Sequence, residues 1–203
     1  MYVLAVTGGI GSGKTVAAEV FRSHGAVIVD LDDIAKGLLD PAIPVFALVK
    51  EAFGPDVVGA DGRIDTRALA DVAFASDETT RRLNAIVHPA VYAAVAGALD
   101  ALALQAEPPR VVILVIPLLA EAPVFAELAD AVLDISSLED ACIERCVARG
   151  MDEADAHRRA GRQVGDAERR AVSDYVIEND DDLVAFKSEL NRFWDAEVSL
   201  RVS

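Results

Sequence analysis

An apolar run, Val3–Thr7, ends in Gly8-Gly9-Ile10-Gly11-Ser12-Gly13-Lys14-Thr15 and passes directly into helix-compatible sequence. The spacing Gly8-x-x-x-x-Gly13-Lys14-Thr15 admits few folds. It asks for a strand, a loop whose backbone N–H groups turn inward around an anion, and a helix whose N-terminus faces the same point. Glycines let those amides converge without Cβ obstruction. In that frame Gly9, Ile10, Gly11, Ser12, Gly13, Lys14, Thr15 and Val16 wall a nucleotide phosphate site. The Lys14 ammonium is expected to reach the β and γ phosphates, and the Thr15 hydroxyl to ligate Mg²⁺. The loop thus specifies a phosphate donor and leaves the reaction open.

Five short β-like runs punctuate otherwise helical sequence: Val3–Thr7, Val27–Asp30, Val111–Ile116, Ala131–Ile135 and Asp174–Ile177. Each is a mainly apolar run rather than an alternating one, as strands covered on both faces are. With helices between them, beginning at Lys14–His24, the order predicts an α/β fold around a five-stranded parallel sheet with right-handed crossovers. The stretch between Asp30 and Val111 far exceeds the dozen or so residues a crossover needs. Helices are expected there at Val45–Phe53, Thr66–Phe74, Asp77–Ile86 and Pro89–Leu104, with turns at Asp40-Pro41, Gly54-Pro55 and Asp61-Gly62. Such an insertion could hold a second substrate, or be an embellishment without a ligand. The chain reads as one domain: a core over residues 1–32, 108–140 and 171–203, an insertion over about 33–107, and a lid over about 141–170. Leu183–Val198 is expected to close it as an amphipathic helix with Phe186, Leu190, Phe193 and Trp194 inward.

A net charge of -15 argues against a nucleic-acid partner, which calls for a basic face. No apolar run has the length of a membrane span, and Met1-Tyr2 leads straight into a strand with no basic leader, so a cytoplasmic location is expected. Cationic residues concentrate instead in one segment. Arg145, Arg149, Arg158, Arg159, Arg162, Arg169 and Arg170 make up over a third of the 19 Lys+Arg. A mobile helix starting after an Asp152 N-cap and carrying Arg158, Arg159 and Arg162 could close over a phosphate chain and exclude water. The alternative is a solvated helix whose arginines pair with acids such as Asp155 and Glu168. Cys142 and Cys146 share a helix face, and without neighbouring metal ligands they read as small buried residues.

Asp30, Asp32 and Asp33 follow the second strand, at the sheet edge where the phosphate loop emerges. One such carboxylate could take the proton of an attacking hydroxyl. Asp32 is favoured for that work, and Asp33 for N-capping a helix at Ile34–Leu39. No Asn-Lys-x-Asp base-reading motif or Leu-Ser-Gly-Gly transporter signature occurs. A small-molecule kinase needs an acceptor pocket, a base and a cationic lid, and the chain offers a candidate for each.

Taken together, these segments resemble the dephospho-coenzyme A kinase family over nearly the whole length. The resemblance rests on Thr7–Thr15 with its Gly8-Gly9-Ile10 lead-in, and on Val29-Asp30-Leu31-Asp32-Asp33-Ile34-Ala35. It extends through Asp61–Leu69, Asn84-Ala85-Ile86-Val87-His88-Pro89, Ile116-Pro117-Leu118-Leu119-Ala120-Glu121, Arg145-x-x-x-Arg149 and Tyr175-Val176-Ile177-x-Asn179. It implies a P-loop kinase fold with a helical acceptor-binding insertion and an arginine-rich lid. It also implies ATP with Mg²⁺ as donor and the ribose 3′-hydroxyl of dephospho-CoA as acceptor. Lys14 would hold phosphates and Asp32 would activate the hydroxyl. Arg149 and Asn179 would flank the adenine of ATP. Arg67, His88, Pro117, Leu118 and Glu121 would line or brace the acceptor pocket, with His88 a hydrogen-bonding brace at a helix start. Thr66, Gly150, Gly161 and Asp180 depart from the family pattern, Gly161 by placing a glycine inside the lid helix. Partners are then two small molecules, with neither nucleic acid nor membrane, and the enzyme is expected to be a monomer. A kinase of the same architecture for a nucleoside monophosphate or small metabolite, and a non-catalytic ATP-binding switch, are the competing readings.

Overall fold

The computed structural model describes residues 1–117 and 119–202, so Leu118 lies outside the described residues. The chain forms two compact units, one of residues 1–30 and 102–203, the other of residues 31–101.

The first unit contains the sheet. Strands β1 (Tyr2–Gly8), β2 (Val27–Asp30), β3 (Val111–Val115), β4 (Ala131–Ser136) and β5 (Tyr175–Glu178) lie in the order β2-β3-β1-β4-β5, all parallel. The continuous apolar runs are the reason: β1, β3 and β4 are buried along nearly their full length. Helix α1 (Lys14–Ser23) packs Phe21 beneath the sheet with Leu4, Val6, Ile113, Leu133 and Ile135. The C-terminal helix, Leu183–Phe193, adds Phe186, Leu190 and Phe193, and Trp194 follows. Phe21 and Trp194 sit with ring centroids 5.6 Å apart. Burying each such side chain contributes roughly 1.5–3 kcal/mol. The closing helix is α-helical only to Phe193 and continues as a π turn over Trp194–Val198, a geometry that still buries Trp194 and Val198.

The second unit is helical: α2 (Leu31–Leu38), α3 (Pro44–Phe53), α4 (Thr66–Ala73) and α5 (Asp77–Ala103). Val45, Val49, Val57, Ile64, Leu69 and Ala73 form its own core, against which Leu83, Ile86, Val87 and Ala90 of α5 pack. Asp65 caps α4 through bonds from the Arg67 and Ala68 N–H groups.

Three expectations change here. Helix α2 begins at Leu31, so Asp32 and Asp33 lie in its first turn and Asp33 is not its N-cap; Asp33 Oδ1 instead accepts from Lys36 Nζ at 3.3 Å. Carboxylates in a first turn suit the helix dipole, and that makes an earlier start acceptable. The two helices expected around His88-Pro89 are one, with Pro89 inside α5. Ala85, whose carbonyl loses its i+4 partner, and Pro89 both lie on the exposed side. Apolar packing before and after the proline, including buried Val91, Val95 and Leu99, carries the helix through. By length and apolar content α5 also reaches what a membrane crossing requires, a test that core helices pass as well. His88 therefore sits mid-helix rather than at a helix start.

In the first unit, α6 (Glu139–Ala148) and α7 (Glu153–Ala160) precede α8 (Asp166–Ala171), and α9 is Leu183–Phe193. Asp152 caps α7, as expected, by accepting from the Asp155 N–H. Helix α7 stops at Ala160, so Gly161 is its C-cap and carries no helix-interior cost, and Arg162 lies beyond the helix.

Candidate active site

The sheet delivers the site to one edge. The C-terminal ends of β1, β3, β4 and β5 present Gly8, Ile116-Pro117, Ser136 and Asn179 there, and β2 ends at Asp30, from which the chain reaches Asp32 two residues later. The phosphate loop runs from β1 into α1. Gly11 and Gly13 take φ of 72° and 114°, open to glycine without strain. Both also face a wall. A Cβ on Gly11 would strike the Cys142 carbonyl of α6, and one on Gly13 would come within 2.6 Å of Asn179 Nδ2 and 3.0 Å of Phe186.

Asn179 is buried and fixed on all sides. Its Nδ2 donates to Ser12 O at 2.6 Å, its N–H to Ser136 O, and its own carbonyl accepts from Arg145 Nη2 and Ser137 Oγ. Arg145 thus holds Asn179, which in turn holds Ser12 of the loop. Lys14 Nζ lies 2.7 Å from Gly8 O and 2.8 Å from Gly9 O, at the rim of the loop. Thr15, in the first turn of α1, is exposed. Cys142 and Cys146 are reduced and buried as expected, and burial pushes the Cys142 thiol up.

Among the expected lid arginines, Arg158 and Arg159 both bind the same carboxylate, Asp155, at 2.9 and 3.0 Å, and all of this lies on the exposed face of α7. Those pairs are of the kind the solvated-helix alternative expects. Asp155 is held below its ordinary value, first by the Arg158 hydrogen bond. Arg149 is the exposed C-cap of α6, and Arg162 is also exposed.

The segment after α7 lies within the expected lid, but sequence reasoning did not anticipate the contacts it makes. Gln163 Oε1 accepts the Ile10 N–H of the phosphate loop at 2.8 Å, and Glu121 Oε1 accepts the Val164 N–H at 3.0 Å. Arg169 projects from α8 beside Asp134 of β4, with Nε 3.5 Å from Oδ1. Asp134 has no exposed side-chain surface; burial pushes its carboxyl up, against the opposing pull of Arg169. Asp166 binds Ser136 Oγ at 2.6 Å, Arg169 and Arg170. Burial would raise Asp166, but those hydrogen bonds and charges outweigh it and hold it low. Turn residues have no periodicity to betray them. The lone acid in the apolar run Ala131–Ile135 was the one available signal.

In the helical unit, Asp32 and Arg67 are exposed in the first turns of α2 and α4, and His88 is half-buried, its imidazole pushed down by burial.

A parallel 2-3-1-4-5 sheet with a phosphate loop after its central strand defines a P-loop phosphotransferase of the small-kinase type. The chain belongs to the CoaE dephospho-CoA kinase family, whose profile matches residues 2–185. A dephospho-CoA kinase from Streptomyces avermitilis is 38% identical over 195 residues, 96% of this chain and 93% of that one. Among solved structures, TT1252 from Thermus thermophilus superposes with a TM-score of 0.80 at 29% identity, over 97% of each chain. The dephospho-CoA kinase from Campylobacter jejuni shares the fold, with a TM-score of 0.69 at 21% identity over 95% of each chain.

Proposed function

We propose that this chain transfers the γ-phosphoryl group of ATP to the ribose 3′-hydroxyl of dephospho-CoA, forming coenzyme A in the last step of its synthesis. The observation that carries this reading is an intact phosphate loop in a chain matched to the family along most of its length. The acceptor oxygen forms a bond to the γ-phosphorus as the bond to the β–γ bridging oxygen breaks, leaving ADP. The hydroxyl proton passes to Asp32, which the chain places two residues beyond the β2 edge. The loop amides and Lys14 hold the phosphates as negative charge shifts toward the leaving group. Arg149 and Asn179 are assigned to the adenine side. Arg67, His88, Pro117 and Glu121 are assigned to the acceptor side, where Glu121 would act while also holding the lid segment at Val164.

Mg²⁺ belongs to this reading. The exposed Thr15 hydroxyl at the start of α1 supplies a hard oxygen donor. Among the described residues no cluster of three His, Cys, Asp or Glu is built to cage a metal. Such a donor set fits an ion that keeps water and nucleotide phosphates as most of its ligands. When bound, it would neutralise charge between the β and γ phosphates. We place the enzyme in the cytoplasm as a monomer acting on two small molecules.

The test is ADP formation by the pure protein with Mg-ATP, across a panel of acceptors at equal concentration. Dephospho-CoA should exceed nucleoside monophosphates by orders of magnitude, and Asp32→Asn should lose most turnover while keeping ATP affinity. A rate that dephospho-CoA does not raise, or an Asp32→Asn enzyme with full turnover, rejects the assignment.

A further inference from the structure

The arginines that periodicity assigns to the lid are not the ones nearest the phosphate loop. Arg158 and Arg159 are more than half exposed and share Asp155. Arg169 is 14% exposed, and a Cβ on Gly9 would lie 3.9 Å from both its Cζ and its Nη1. Its Nη1 donates to Val164 O at 2.9 Å and its Nη2 to Asp166 Oδ1 at 3.1 Å. Each of those nitrogens carries a second N–H. Gln163, from the same segment, bonds the loop by accepting the Ile10 N–H, so one hydrogen bond and the nearness of Arg169 to Gly9 set residues 163–169 beside the loop.

Behind Arg169 lies an arrangement that packing alone does not explain. Neither oxygen of the fully buried Asp134 has a hydrogen-bond partner among the described residues; its Oδ1 forms a 3.5 Å ion pair with Arg169 Nε, which also lacks a hydrogen bond, as does the hydroxyl of Thr7, the register neighbour of Asp134. A buried carboxylate without hydrogen bonds is retained at a cost unless its charge does something. Here it faces the inner edge of Arg169 and leaves the outer edge toward Gly9.

We propose that Arg169 is the guanidinium that meets the terminal phosphate of the nucleotide in the loop, and that Asp134 is the positioning residue that aims it. The assignment rests on the kinase reading for ATP as the occupant of the loop, and not on the identity of the acceptor. A planar fork fixed on one side by a buried carboxylate suits the equatorial oxygens of a transferring phosphoryl group.

Calorimetric titration with the β,γ-imido analogue of ATP and with ADP, both with Mg²⁺, separates the terminal phosphate from the rest of the nucleotide. Arg169→Met should weaken the ATP analogue by about tenfold or more while leaving ADP within a few-fold. Asp134→Asn should lower kcat and the preference for ATP analogue over ADP together, with the KM for acceptor little changed. Because Arg169→Met leaves Asp134 uncompensated, the double variant Asp134→Asn/Arg169→Met and the charge-keeping Arg169→Lys are measured beside it. Both should fold, and both should show the same lost preference. Equal weakening of ADP and ATP analogue in these variants would reduce Arg169 to a structural brace and overturn the proposal. So would a lost preference in Arg158→Met or Arg159→Met that Arg169→Met does not show. A wild-type protein that discriminates the two nucleotides but ignores dephospho-CoA would reject the acceptor assignment and leave this one standing.

Discussion

Gly11 shows how narrow the tolerance of a phosphate loop is at a single atom. Its φ of 72° and its approach to the Cys142 carbonyl act together, so a methyl group meets strain and a steric block at once. Gly11→Ala should cost about 1–3 kcal/mol in urea unfolding and should abolish detectable ATP binding by titration. His88 gives a residue-scale pH effect. Burial holds its folded-state pKa below the ordinary 6.5, so the unfolded chain takes up the proton first. The associated stability is complete above pH 6.5 and declines as pH falls from there to the folded value. Urea unfolding at pH 7.5 and 5.5 should show a smaller pH difference in His88→Gln than in the parent protein. An unchanged difference would mean that the imidazole is charged in the folded protein. At this scale the sequence was most legible where chemistry forces a residue type. Lys14 and the glycines could be read directly, whereas the contact of Gln163 with the loop could not, because a polar side chain in a turn gives no spacing signal, and Arg169 could be read only as one of seven clustered arginines.

Helix α5 shows where element-level reading fails and why. Proline before a long apolar run reads as a helix start, since it lacks an N–H that a first turn does not need. The reading takes no account of Leu83, Ile86 and Val87, which pack on the helical core before Pro89 and make a break there more costly than one lost hydrogen bond. Pro89→Ala should restore the bond to the Ala85 carbonyl and raise Tm by roughly 2–4 °C per kcal/mol gained. A fall in Tm would show that the proline ring itself contributes packing. Strand positions were legible to within a residue or so because each strand is a short, mainly apolar run set between helical stretches. Helix ends were less so, and the end of α7 at Ala160 moved Arg162 off the helix and Gly161 to its cap.

Across the whole molecule the parallel sheet and the placement of the loop followed from the order of apolar runs and from the handedness of parallel crossovers, whereas the strand order β2-β3-β1-β4-β5 comes from the structure alone. How α6, α7 and the turn beyond them meet the loop did not. Those contacts pass through backbone carbonyls and amides, such as Cys142 O against Gly11 and the Ile10 N–H to Gln163, and backbone atoms leave no mark on side-chain pattern. The two thiols of α6 turn this into a measurable quantity. Cys146 is sealed in a cluster with Ile143 and Ala156, flanked by Ile10 of the loop and by Met151 and Ala160. A thiol buried there reacts with an alkylating reagent only during the fraction of time that α7 and the loop are parted. Its labelling rate is therefore expected to report how often α7 and the loop part in the native enzyme, with no probe introduced. The rate should fall severalfold when the β,γ-imido analogue of ATP is bound and recover when it is dialysed away. Labelling that ignores the nucleotide would mean that α6 and α7 open independently of the phosphate loop.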